Sequence, residues 1–121
     1  IDKWFAVQAG QGTADDARRL SQHPDFDLSN PNRVRSVAAA FAMTNLAAFH
    51  APDGDGHRVI GDIVARIDKL NPALAARLLT SFEQWKKLEP KARASAETVL
   101  TDLRAARLSQ NAMDIVARAL D

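Results

Sequence analysis

Three observations predict an all-α fold for this chain of 121 residues. Apolar residues recur at helical spacing along most of its length, strand-like alternation is almost absent, and Asn-Pro occurs twice where a helix would begin. The length suits one compact domain, residues 1–121, with a core of its own.

Each element follows in order. Asp2 to Ala9 reads as a short apolar helix bearing Trp4 and Phe5, closed by Gly10 and Gly12. Thr13 and Asp16 have the spacing of a capping box, with Asp in place of the usual Glu, ahead of a helix to about Ser21. A polar connection runs from His23-Pro24-Asp25 to Ser29. Asn30 then supplies an N-cap and Pro31 the first helical residue, and Val34, Val37, Ala38 and Phe41 share one face. Leu46 and Phe49 are expected to continue that apolar surface in a short helix after Asn45. Ala51-Pro52-Asp53-Gly54-Asp55-Gly56 is the clearest loop.

Val59, Ile60, Ile63, Val64, Ile67 and Leu70 form the next amphipathic stripe. Asn71-Pro72 restarts the chain, and its helix is expected to present Leu74, Leu78, Leu79, Phe82 and Trp85, with Glu83 and Lys87 as an i, i+4 pair. Pro90 opens a helix with Val99, Leu100 and Leu103 inward. Ser109 caps a last one carrying Met113, Val116 and Leu120. The sum is seven or eight short helices joined by short turns.

The two Asn-Pro starts lie 41 residues apart, and at the same offset Val37 matches Leu78, Ala38 matches Leu79 and Phe41 matches Phe82. That period falls in the range of HEAT and armadillo repeats, which makes a superhelical stack one reading of it, although any two capped amphipathic helices share such a pattern. Solenoid units bury their faces against neighbours. Together with Ile1, where a natural start would be Met, this predicts a portion of something longer.

Composition excludes several function classes. Sixteen basic against fifteen acidic side chains leave a formal charge of +1, so there is no global field to draw nucleic acid or an anionic membrane. No apolar run approaches the roughly 20 residues that span a bilayer, and the first residues lack the apolar core of a signal peptide. With no cysteine there is neither disulfide nor thiolate metal site, which fits a reducing cytoplasm.

Motifs for chemistry are missing too. His23, His50 and His57 are not paired at i, i+4, and no His-Glu-x-x-His run exists, so surface or turn histidines are expected rather than zinc ligands. Asp53-Gly54-Asp55-Gly56 resembles the opening of a calcium loop, but His57 and Val64 stand where oxygen ligands belong. There is no nucleophile elbow and no phosphate-binding glycine loop. The arginines are more informative. Arg33 and Arg35 lie in the first two turns after Asn30, where positive charge opposes the helix dipole by about 0.3–1 kcal/mol near the first turn. An anion, from this protein or from a ligand, would offset that. Arg35 borders the buried stripe and Arg77 occupies a similar flanking place in the later helix. These two are the candidate anion-recognition residues.

Several segments, in this order and spacing, resemble the C-terminal helical domain of the bacterial aminopeptidase N family. They are Asp2-Lys3-Trp4-Phe5, Ser29-Asn30-Pro31-Asn32-Arg33-Val34-Arg35-Ser36, Ala47-Ala48-Phe49-His50, Asp53-Gly54-x-Gly56 and Asn71-Pro72-x-x-Ala75-x-Arg77-Leu78. Together they cover essentially the whole chain. The resemblance implies a parent zinc metallopeptidase that removes single residues from peptide N-termini. Its zinc and substrate-amine motifs are not among these residues, so no catalytic or metal-binding role carries over. The implied domain stacks as a superhelix, packs on the catalytic domain of the same chain and encloses the active-site chamber. Arg35 and Arg77 would face that chamber and could meet the carboxylate of a peptide substrate. The rival expectation is a free-standing helical-repeat adaptor for a protein partner.

Overall fold

A computed structural model describes residues 1–121, and it contains eight α-helices and no strand. The helices are α1 (Asp2–Gln11), α2 (Ala14–Ser21), α3 (Pro31–Ala39), α4 (Leu46–Phe49), α5 (Asp55–Ile67), α6 (Pro72–Leu79), α7 (Pro90–Ala105) and α8 (Gln110–Leu120). A π-helical turn, Ala40–Thr44, joins α3 to α4. Two 3-10 turns, Thr80–Phe82 and Trp85–Lys87, lie between α6 and α7.

Local chemistry sets the helix starts. Thr13 Oγ1 accepts the Asp16 amide at 3.2 Å while Asp16 Oδ2 accepts the Thr13 amide at 2.9 Å, a complete capping box. Asn30 accepts from Arg33 N and Asn71 from Leu74 N, each ahead of a proline at the first helical position. Ser109 caps α8 through the Ala112 amide. Glu89 caps α7 by accepting from Ala92 N and Lys91 N, a role not anticipated beside Pro90.

Packing then organises the stack. α1 lies along α3, α6 and α7 both lie along α8, and α5 packs against α2, α6 and α7. Because α5 has neighbours on several sides, eight of its thirteen residues are buried. Phe41, Phe49 and Phe82 are fully buried and meet edge to face, with ring centroids 6.2 Å apart for Phe41–Phe49 and 5.3 Å for Phe49–Phe82. Both members of each pair at the 41-residue offset are buried: Val37 with Leu78, Ala38 with Leu79, Phe41 with Phe82. The repeat read from the sequence is a repeat of core positions.

Five expectations need correction, all at helix ends; the first is the loop expected over residues 51–56, which ends at Gly54 because Asp55 and Gly56 already form the first turn of α5. α1 continues through Gly10 to Gln11, since a glycine inside a helix is tolerated when its neighbours are paired. α5 stops at Ile67, so Leu70 falls in the following turn and is 61% exposed. Leu46 opens α4 on its outer side and is 54% exposed, whereas Phe49 alone turns inward. α6 ends at Leu79, and the 3-10 turns carry Phe82 and Trp85 into the core without a continuous helix. Glu83 and Lys87 therefore form no ion pair. No helix is long and apolar enough to cross a membrane.

Candidate functional site: two exposed arginines, an open helix face and a buried histidine pair

The arginines of α3 separate into two kinds. Arg33 donates through Nε to Asp2 Oδ1 at 2.5 Å and through its guanidinium to the Asp25 carbonyl, and it lies over the Phe5 ring. Its anion is internal, and the pair pins the start of α1 to α3. Arg35 is exposed, and its only side-chain partner is the neutral Asn32 amide oxygen, at 3.2 Å. Arg77 is exposed in the last turn of α6, where the helix dipole favours a cation, and no carboxylate pairs with it. Both candidate residues thus carry charge that the domain does not neutralise.

The apolar surface is asymmetric. Ile1, Trp4 and Val7 project from one side of α1 at 58%, 45% and 44% exposure. Beside them a groove of about 500 Å³ runs between α1 and α2, lined by Trp4, Val7, Gln8, Gln11, Arg19 and His23. Arg19 is already paired with Asp15 and Asp16, so the groove presents no free cation of its own. Trp4, Phe5 and Trp85 differ in burial. Only Trp4 is exposed. Phe5 is fully buried, and Trp85 is 5% exposed with its indole N–H donating to the Ala119 carbonyl at 2.8 Å.

The histidines also differ from expectation. His23 lies beside the Trp4 and Phe5 rings and accepts the Asp25 amide through Nδ1, a turn residue as expected. His57 is fully buried, and His50 is half-buried above it. His50 Nδ1 is 2.9 Å from His57 Nε2, and His57 Nδ1 is 2.7 Å from Ser95 Oγ on α7. Ser95 Oγ in turn donates to the Ala92 carbonyl at 2.8 Å.

The Asp-Gly-Asp-Gly segment makes this contact possible. Gly54 has φ +75°, and a Cβ there would sit 2.5 Å from the Ser95 side chain. A Cβ on Gly56 would meet the Phe49 carbonyl at 2.4 Å. Gly54 in the turn and Gly56 in the first turn of α5 let the chain press against α7 and α4, which brings residues 50 and 57 together. The available clue was two histidines flanking a tight turn, a spacing that a search along one helix face does not test.

Burial holds His50 below the ordinary histidine value. Burial first, then the neighbouring His50 and Arg58, pushes His57 down to about 4. Elsewhere the polar contacts are structural. Arg18 of α2 grips Asp55 at the start of α5 with both guanidinium nitrogens, and this pairing holds the Asp55 carboxyl below the usual range. Asp68, itself buried, accepts from Ser109 Oγ at 2.5 Å and Ser109 N at 2.7 Å, tying the end of α5 to the start of α8. No three His, Asp or Glu side chains converge in a way that could hold a metal ion.

The family model described as a domain of unknown function with ARM repeats, DUF3458_C, matches residues 1–121. The chain is 37% identical over 127 residues to aminopeptidase N of Caulobacter vibrioides and 36% identical over 124 residues to aminopeptidase N of Escherichia coli. Each alignment covers 99% of this chain and 14% of the relative. A crystal structure of Legionella pneumophila aminopeptidase A in complex with aspartic acid superposes with a TM-score of 0.88 at 31% identity, over 100% of this chain and 14% of that one. The chain thus spans about one-seventh of the length of the relatives it matches. Its eight stacked helices, its 41-residue core repeat and these alignments agree, and the chain belongs to the DUF3458_C family of ARM-repeat domains, the C-terminal domain of aminopeptidase N.

Proposed function

We propose that this domain is the non-catalytic C-terminal part of a zinc aminopeptidase that removes N-terminal residues from peptides. In this reading it packs on the rest of the same chain, including the catalytic domain, encloses the active-site chamber and controls which peptides reach it. The zinc would be held outside these 121 residues, in the catalytic domain, and the cytoplasm would be the working compartment.

The observation that carries the reading is the alignment of nearly the whole chain with 14% of two proteins named aminopeptidase N. Two features of the surface support it. The exposed Ile1, Trp4 and Val7 stripe is the kind of apolar face that a solenoid unit covers with a neighbour. Arg35 and Arg77 are exposed and lack carboxylate partners, so they are free to hold the carboxylate of a bound peptide.

The test is kinetic. Replacing Arg35 and Arg77 with Ala in the complete enzyme should raise KM for short peptides more than for single-residue amides, which have no distal carboxylate. Equal effects on both substrate types would sink the carboxylate role. A native polypeptide of 13.2 kDa without peptidase activity would instead favour an independent adaptor.

A further inference from the structure

We propose that His50, His57 and Ser95 form an acid-labile latch that fastens the turn between α4 and α5 to α7. The bonding pattern has one assignment that makes all three contacts hydrogen bonds. The Ala92 carbonyl can only accept, so the Ser95 hydroxyl proton points to it, 2.8 Å away. Ser95 Oγ is then the acceptor for His57 Nδ1–H. That leaves His57 Nε2 bare, to accept from His50 Nδ1–H. His50 Nε2 ends the chain as an unprotonated nitrogen on the half-buried ring.

This polarity limits how many protons the pair can take. A first proton enters at His50 Nε2 and leaves every bond in place. A second must go to His57 Nε2, which would set two N–H groups against each other across 2.9 Å. No nearby group relieves the added charge. The charged or titratable groups facing His57 are His50 from α4 and Arg58 from α5. α7 contributes Ser95, and the Thr80–Phe82 turn contributes the Phe82 ring, neither of them ionisable. Asp55 is committed to Arg18 and Arg58, and the Asp53 carboxylate to the Asp55 amide.

The latch has a defined object. His57–Ser95 is the only side-chain hydrogen bond between α5 and α7, and His50–His57 the only one between the end of α4 and α5. Losing both frees the turn while α2 stays tied to α5 through Arg18 and Asp55. Acid should therefore open the α4–α5 turn and the facing part of α7 before the rest of the stack.

Hydrogen–deuterium exchange of the intact protein carrying this domain tests the latch, with rates corrected for the intrinsic effect of pH. Between pH 7.5 and 3.5, segments 46–58 and 90–98 should lose protection together by at least about tenfold while α2 and α8 keep theirs. His57→Phe should abolish that step, because the ring can fill the space between Phe49 and Phe82 without titrating. His50→Gln removes one charge and can offer an amide oxygen to a protonated His57, so the closed latch tolerates that proton and the opening midpoint should move down by about one pH unit. If His57→Phe does not fold, the half-buried His50→Gln carries the test. Simultaneous loss in all helices, an unchanged acid step in His57→Phe, or an unmoved midpoint in His50→Gln would each overturn the proposal.

Discussion

The two Asn-Pro helices begin alike and end differently. In α3 and α6 an asparagine side chain accepts the third amide of the helix, a proline fills the first position, and equivalent residues face the core. Beyond them the paths diverge. After α3 the backbone widens into the π turn, and Asn45 donates its side-chain N–H groups to the Ala9 carbonyl at 3.1 Å and the Gly12 carbonyl at 2.7 Å. After α6 it tightens into 3-10 turns, and Trp85 donates to the Ala119 carbonyl near the end of α8. In each case a side chain shortly past the repeat helix satisfies carbonyls at the C-terminal end of the neighbouring helix, α1 or α8. The entry is local chemistry, and the exit is shaped to reach a neighbour with unpaired acceptors.

The strongest way to break this equivalence is at the shared aromatic position. Phe41→Ala and Phe82→Ala each remove a fully buried ring and should cost about 3–5 kcal/mol in denaturant titrations. If the two sites are true counterparts their costs agree to within about 1 kcal/mol. A Phe82 cost far above that of Phe41 would place the weight of the core on the second repeat.

Acidity probes the junction between the repeats, because His57 lies between Phe49 and Phe82. Its folded pKa of about 4 is below the ordinary 6.5, so the unfolded chain binds the proton more readily. Stability from this group is complete above pH 6.5 and declines as pH falls toward 4, by about 3 kcal/mol in all. His50 is shifted in the same direction and adds to the slope. His57→Phe should flatten stability against pH across this window.

The exits give the smallest effects and the sharpest comparison. Asn45→Ala deletes two hydrogen bonds and should cost about 1–2 kcal/mol, while Trp85→Phe deletes one and should cost about 1 kcal/mol beyond its change in packing. Amide exchange would show the loss at the end of α1 for the first and at the end of α8 for the second. Loss of protection in the wrong helix would refute the shared capping role.

What the sequence determined by itself is the helical class, the order of the helices, their starts and their inward faces. Those features depend on groups three or four residues apart, such as Thr13 with Asp16 or Val34 with Val37 and Ala38, and such groups meet whenever the helix forms. The family resemblance was legible for a related reason, since its motifs are largely the caps and turns themselves. The ends of the helices were decided by tertiary structure. Leu70 and Leu46 carry apolar side chains in helical register, yet α5 stops and α4 turns so that both face outward. The arginines show the same division. Arg33 and Arg35 are alike in sequence, but only Arg33 lies within reach of Asp2, which the packing of α1 on α3 delivers. His57 is the clearest case. Its burial arises because two glycines let the chain close on both α4 and α7. That contact spans 38 residues, beyond what any local periodicity records.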